Sequence, residues 1–218
     1  MAPTIPQALL WILGYLLTML LYTIINIVVC RRRFPRQSQW LSLFAMLLCC
    51  GGYLALLARS GCLPPLSFPS LPGLLAALFT APALYLLCDC GIDPLLEKRF
   101  PRSEASYAQA AARLVSQPVS GFFQAVLLSP VMEELLMRGL LLPALSPLFG
   151  PLAALLLSSL LFALLHFNWV QTLSALSCGL ALGLLSLLSG SLFCCVLAHL
   201  GYNLLSFLLL LRKYQKGA

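Results

Sequence analysis

Charge is scarce in this chain: of 218 residues only 9% are Asp, Glu, Lys or Arg, against 61% hydrophobic. Soluble domains carry about a quarter charged residues, so the composition excludes an ordinary water-soluble globule and indicates a membrane protein. A basic helix face interleaved with aromatics is also missing. The formal charge of +7 therefore does not indicate nucleic acid as a partner, because the cations sit in short blocks between apolar runs. No Lys or Arg precedes the first apolar run, which at 22 residues is too long for a signal-peptide core and reads as an uncleaved span. CxxC is absent although there are nine cysteines, several of them inside apolar runs. A disulfide or zinc framework is thus not indicated, and the Cys88, Asp89, Cys90 cluster is only a weak metal signal. The motifs of several hydrolase classes are missing too: no HExxH, no GxSxG, no GxSG and no GxGD.

What is present is a series of long apolar segments: 8–29, 40–58, 71–88, 121–147, 151–167, 170–188 and 191–211. About 20 apolar residues in a helix cover the roughly 30 Å hydrocarbon core, so the expected fold is all-α, a polytopic integral membrane helical bundle with about seven transmembrane helices. Lys and Arg collect on the cytoplasmic side of such proteins. Arg31, Arg32, Arg33 and Arg36 follow the first span, Lys98, Arg99, Arg102 and Arg113 the third, and Arg212, Lys213 and Lys216 the seventh. Seven spans put all three blocks on one side, with Arg59 opposite, which implies an outside N-terminus and a cytoplasmic C-terminus.

Residues 91–118 form the one long polar segment, and its "ASYAQAAARLVS" has helix-forming composition. It reads either as a cytoplasmic interfacial helix or as an ordinary loop. "SGCLPPLSFPSLPG" is proline-rich and should be irregular. The chain is expected to be one membrane domain, 1–218, in which 1–120 holds the N-terminal spans and the cytoplasmic loop, and 121–211 the catalytic core. Its compactness favours a bacterial cytoplasmic membrane.

A charge at bilayer depth is costly by whichever scale is used, so such residues usually face a protein interior and serve function. Four of the six acids, Asp89, Asp93, Glu97 and Glu104, fall in or beside the polar segment; the others are Glu133 and Glu134. The two histidines are His166, near the end of the fifth span, and His199, inside the seventh. Glu134 and Arg138 are four apart and share a helix face in the favourable acid-first order, while Glu133 points about 100° away. His199 and Asn203 repeat the four-residue spacing, as do Phe162 and His166.

A free carboxylate, two imidazoles and an amide on three helices make a hydrolytic set. A carboxylate in an apolar site holds its proton more tightly than one in water, which suits a general base near neutral pH. Imidazole and amide N–H groups can serve a developing oxyanion. The same groups, Glu133, His166 and His199, could instead ligate a divalent metal such as zinc with one position left for water. Against these stand interhelical hydrogen bonding for the histidines and Asn203, and a purely structural ion pair for Glu134 and Arg138.

"EELLMRG" (133–139), "FALLH" (162–166) and "HLGYN" (199–203), in this order on successive membrane helices, resemble the EExxxR, FxxxH and HxxxN motifs of the CPBP family. That family contains the type II CAAX prenyl endopeptidases and the bacterial Abi proteins. The motifs cover about the last 40% of the chain. The resemblance implies a membrane peptidase with a conical catalytic cavity open toward the cytoplasm. In it Glu133 and His166 would activate water, His199 and Asn203 would form the oxyanion site, and Glu134 and Arg138 would support them. Metal-dependent and metal-free glutamate mechanisms are both implied, and the small number of candidate ligands favours the latter. Met137 stands where many relatives have an aromatic residue. The expected partners are the lipid bilayer and a peptide or lipidated protein substrate, with cleavage of a prenylated CAAX-type or small peptide as the function. A non-catalytic scaffold or bacteriocin-immunity-type protein of the same family, and a proton or ion pathway, are the alternatives.

Overall fold

The computed structural model describes residues 3–216. Every regular element among them is helical, so the chain is an all-α polytopic bundle. In chain order its helices are α1 (Ile5–Arg31), α2 (Ser38–Arg59), α3 (Leu71–Arg99), α4 (Pro101–Val115), α5 (118–149), α6 (Pro151–Leu164), α7 (Trp169–Ser189) and α8 (Leu192–Gln215). Local chemistry marks their starts. Thr4 and Gln7 form a capping box before α1, Ser70 caps α3, and Asn168 accepts from the Val170 and Gln171 amides to cap α7. Proline opens α4, α5 and α6, where its missing N–H costs nothing. Gly150 at φ 78° separates α5 from α6, and Gly190 in the left-handed conformation ends α7.

Five helices, α1, α2, α3, α7 and α8, are long and apolar enough to cross a membrane. The other two expected spans depart from ideal helices. α6 has 14 residues, about 21 Å at 1.5 Å per residue, and α5 is interrupted by π-helical turns at Phe123–Leu128 and Leu135–Leu141. In chain order the two follow one another within the bundle. Hydrogen bonds define its two ends. At one end Gln117 donates to Ser38 (2.7 Å), Asn168 to the Ser103 carbonyl (2.9 Å), and Tyr214 to the Ala108 carbonyl (2.9 Å). At the other, the irregular 60–70 segment meets the α7–α8 turn, with Ser191 donating to the Ser67 carbonyl at 2.8 Å. Seven helices connect these ends, and α4 packs at the first, so the polar segment holds a helix where helix and loop were both open. The three basic blocks gather at the α4 end. α3 continues as a helix to Arg99, beyond the 88 expected from hydropathy, because a π-helical turn at Cys88–Ile92 carries it past Gly91.

The bundle is inverted relative to a soluble protein. Large apolar side chains such as Leu10, Phe79 and Leu188 face outward, while Glu134, Arg138 and His199 are buried. The main core joins Ile12 and Tyr15 of α1, Leu57 of α2 and Met132 to Leu145 of α5 with Phe162 and Val196. Met137 lies in it, 2% exposed, so it fills core volume beside the buried arginine. Where α8 meets α3 a side chain is missing: a Cβ on Gly201 of α8 would stand 2.8 Å from the Ala81 Cβ of α3.

Candidate active site

The two glutamates lie in the α-helical segment Ser129–Glu134, between the two π-helical stretches of α5. Such stretches frequently accompany functional sites because they re-aim the side chains beside them. Within the α-helical turn between them the two neighbouring carboxylates point in different directions. Glu134 is fully buried and its Oε1 accepts from Arg138 Nη1 at 2.9 Å, the four-residue pair the spacing predicts. Arg138 Nη2 donates to the Gly179 carbonyl of α7 at 2.8 Å, and its guanidinium lies 5.0 Å from the centre of the Phe162 ring. Glu133 keeps 27% of its side chain exposed and faces a cavity of about 600 Å³.

Both histidines line that cavity, as does Asn203. His199 Nδ1 lies 2.8 Å from Glu134 Oε1. A carboxylate only accepts, so Nδ1 carries the proton and the ring is turned to aim Nε2 at Glu133 Oε2, 3.8 Å away. His166 Nδ1 lies 3.0 Å from the Phe162 carbonyl. A carbonyl also only accepts, so Nδ1 again carries a proton, and the neutral tautomer with that proton has its lone pair at Nε2. Asn203 donates one N–H to the Ala125 carbonyl of α5 at 2.8 Å, which orients the amide and leaves its second N–H. Phe162 holds the group together, edge-on to His166 at 5.0 Å and to His199 at 6.1 Å, with Arg138 beyond. Gly179 makes room for it, since a Cβ there would lie 3.3 Å from the Phe162 ring.

All six candidate residues thus belong to one constellation, in two layers. Glu133, His166, His199 and Asn203 line the cavity, while Glu134 and Arg138 stand behind its wall. Residues 115–205 match the model of the type II CAAX prenyl endopeptidase Rce1-like family. This is the family the three motifs resemble, and the Rce1-like segment runs from the end of α4 into α8, across all three. No curated protein and no solved structure matches the chain.

A metal would make its own demand on these side chains. A zinc site takes three or four N, O or S ligands at about 2.0–2.3 Å. Among the described residues no three His, Cys, Asp or Glu side chains come together in that way, and neither a hydrogen bond nor an ion pair joins His166 to Glu133. Glu133, His166 and His199 are thus not gathered as a three-ligand set in this arrangement of their side chains. Cys88 and Cys90 are not gathered either, since Cys88 is buried and Cys90 exposed.

The same cavity also holds acids that the sequence places in or beside the polar segment. Asp89, Asp93 and Glu97 lie on α3 and line the cavity with Tyr107 of α4 and Tyr202 of α8. Asp93 accepts a short hydrogen bond from Ser174 of α7. Burial, and then the neighbouring Asp89, Asp93 and Glu97, push the Tyr107 phenol up to about 12. Four of the chain's six acids line one cavity. Their spacing of four residues on α3 was the available signal, hidden because hydropathy ended the helix too early.

Proposed function

We propose that this chain is an intramembrane endopeptidase that hydrolyses a peptide bond of a membrane-associated substrate, a prenylated CAAX-type C-terminus or a small peptide, with water activated by Glu133. One observation carries this reading. Two adjacent carboxylates have opposite environments: Glu134 is paired with Arg138 behind the wall, and Glu133 is presented to a cavity that two imidazoles and an amide also line. A structural role would consume both.

The substrate enters from the end where Lys213 and Glu97 line the cavity, which the basic blocks assign to the cytoplasm; the C-terminus of the chain is on the same side. Water accepts no fixed position until it meets acceptors, and the site offers two, the Glu133 carboxylate and the Nε2 lone pair of His166. With one O–H toward each, the water's own lone pair is left for the scissile carbonyl carbon. Glu133 takes the proton as the C–O bond forms. The free N–H of Asn203, and Nε2–H of His199 when that ring is protonated, serve the oxyanion. Collapse breaks the C–N bond and the proton held by Glu133 goes to the leaving amine. Glu134 and Arg138 act through His199 by fixing its Nδ1 and hence the direction of Nε2. The working unit is residues 121–211 within a single membrane domain of 1–218, and 1–120 supplies substrate gating.

The test is cleavage of a quenched farnesylated peptide by wild type and Glu133→Gln protein in parallel, each with and without chelator. Activity in wild type that survives chelation and is lost in Glu133→Gln supports the mechanism. Full turnover by Glu133→Gln refutes the assignment of the base, and loss of wild-type activity to the chelator refutes the metal-free step.

A further inference from the structure

At the basic end of the bundle a second, smaller pocket of about 20 Å³ lies between α1, α2, α4 and α5. Two arginines from different helices line it, Arg31 of α1 and Arg113 of α4, together with Asn26, Gln117 and Gln124. Neither guanidinium has a carboxylate within ion-pair distance, since the ion pairs among the described residues all surround Glu133 and Glu134. Two like charges lining one pocket without a counter-charge repel each other, and an anion between them reverses the sign of that interaction.

Arg31 is held in this arrangement. Its Nε donates to Asn26 Oδ1 at 3.4 Å, Asn26 donates to the Tyr22 hydroxyl at 3.2 Å, and that hydroxyl is 2.9 Å from Ser42 Oγ of α2. The Nη groups of Arg31 have no acceptor among the described residues. Gln124 uses its Oε1 for Tyr22 at 3.5 Å, which leaves its N–H groups as further donors. The volume admits one oxygen atom, while Arg113 is exposed and reaches the remainder of a larger anion from the surface.

We infer that this pocket binds a phosphate group, presented by an anionic phospholipid headgroup at the basic membrane surface. Phosphate matches the planar donor fork of arginine with several oxygens at once, and basic pockets between helices at this depth suit lipid headgroups. Leu114 and Gln124 line both this pocket and the large cavity, so a bound headgroup braces the corner between α4 and α5. The inference is independent of whether the chain cleaves peptides.

The experiment follows the thermal midpoint of the purified full chain in neutral detergent during titration with dioctanoyl phosphatidylglycerol, dioctanoylglycerol or inorganic phosphate. A saturable rise with phosphatidylglycerol and none with dioctanoylglycerol is expected. Apparent affinity should fall about tenfold or more in Arg31→Gln/Arg113→Gln and stay unchanged in Arg36→Gln, whose side chain lies outside the pocket. Arg113→Gln alone, at an exposed position, supplies the same comparison if the double variant fails to fold. A rise with inorganic phosphate of equal affinity keeps the site and assigns it to the free anion. Equal responses to the two lipids, no response in wild type, or an undiminished response in the arginine variants would overturn it.

Discussion

Replacing Arg138 by Gln should cost the fold more than any single change in the cavity itself. The guanidinium is 1% exposed and its partner Glu134 0%. Removing it deletes the 2.9 Å bond to Glu134, the 2.8 Å bond to Gly179 and the contact over Phe162. Glu134 is then left with His199 alone, although its Oε2 already has no hydrogen-bond partner among the described residues. Removing one partner of a buried pair costs about 3–5 kcal/mol. At this chain length each kcal/mol moves the midpoint by about 2–4 °C, so a drop of roughly 6–20 °C is expected. Glu133→Gln should change it by less than about 2 °C, because that carboxylate is part-exposed and unpaired at hydrogen-bond distance. The chain carries its own reporter: Cys88, Cys178, Cys194 and Cys195 are free and buried, so a thiol-reactive dye reads unfolding. Arg138→Met combined with Glu134→Gln removes both charges and should recover much of the loss. An Arg138→Gln midpoint within 2 °C of wild type, or a Glu133→Gln protein destabilised as strongly, would refute the division of the two glutamates into support and base.

Gly201→Ala places a Cβ against Ala81 at 2.8 Å, and neither atom can rotate away, so α8 must shift from α3 at a cost of about 1–3 kcal/mol. The same dye assay checks it, and adding Ala81→Gly should restore the midpoint. Asn203→Ala should lower kcat by about 10²–10³ with a stability loss near 1 kcal/mol, read by parallel cleavage and melting; equal losses of both kinds would make Asn203 structural. The Tyr107 phenol is neutral in the fold up to about 12, against an ordinary value of 10.0. Its folded value is raised, so its contribution to stability is whole below pH 10 and disappears as pH rises from about 10 to 12. Tyr107→Phe should flatten that part of the midpoint-against-pH curve, and unchanged steepness would contradict the placement of Tyr107 beside the acids.

By itself the sequence determined the class of the protein and most of its path. Apolar run length set the helices because the bilayer has one thickness, and the arginine and lysine blocks set which ends lie together. Scarcity made the site legible: in a chain with two histidines and six acids, Glu133, His166, His199 and Asn203 stood out without any contact map, and the four-residue spacing paired Glu134 with Arg138. Tertiary structure decided the rest. Hydropathy sees neither the π-helical turns of α5 nor the one that carries α3 to Arg99, since they alter hydrogen bonding and leave apolarity unchanged. It therefore missed that Asp89, Asp93 and Glu97 face the same cavity as Glu133. Pairing across helices was equally invisible: that His199 turns to Glu134, that His166 bonds its own helix, and that Asn203 is held by Ala125. Those contacts set which atom carries each proton, and they depend on how close helices approach, which glycines such as Gly179 and Gly201 permit and only packing fixes.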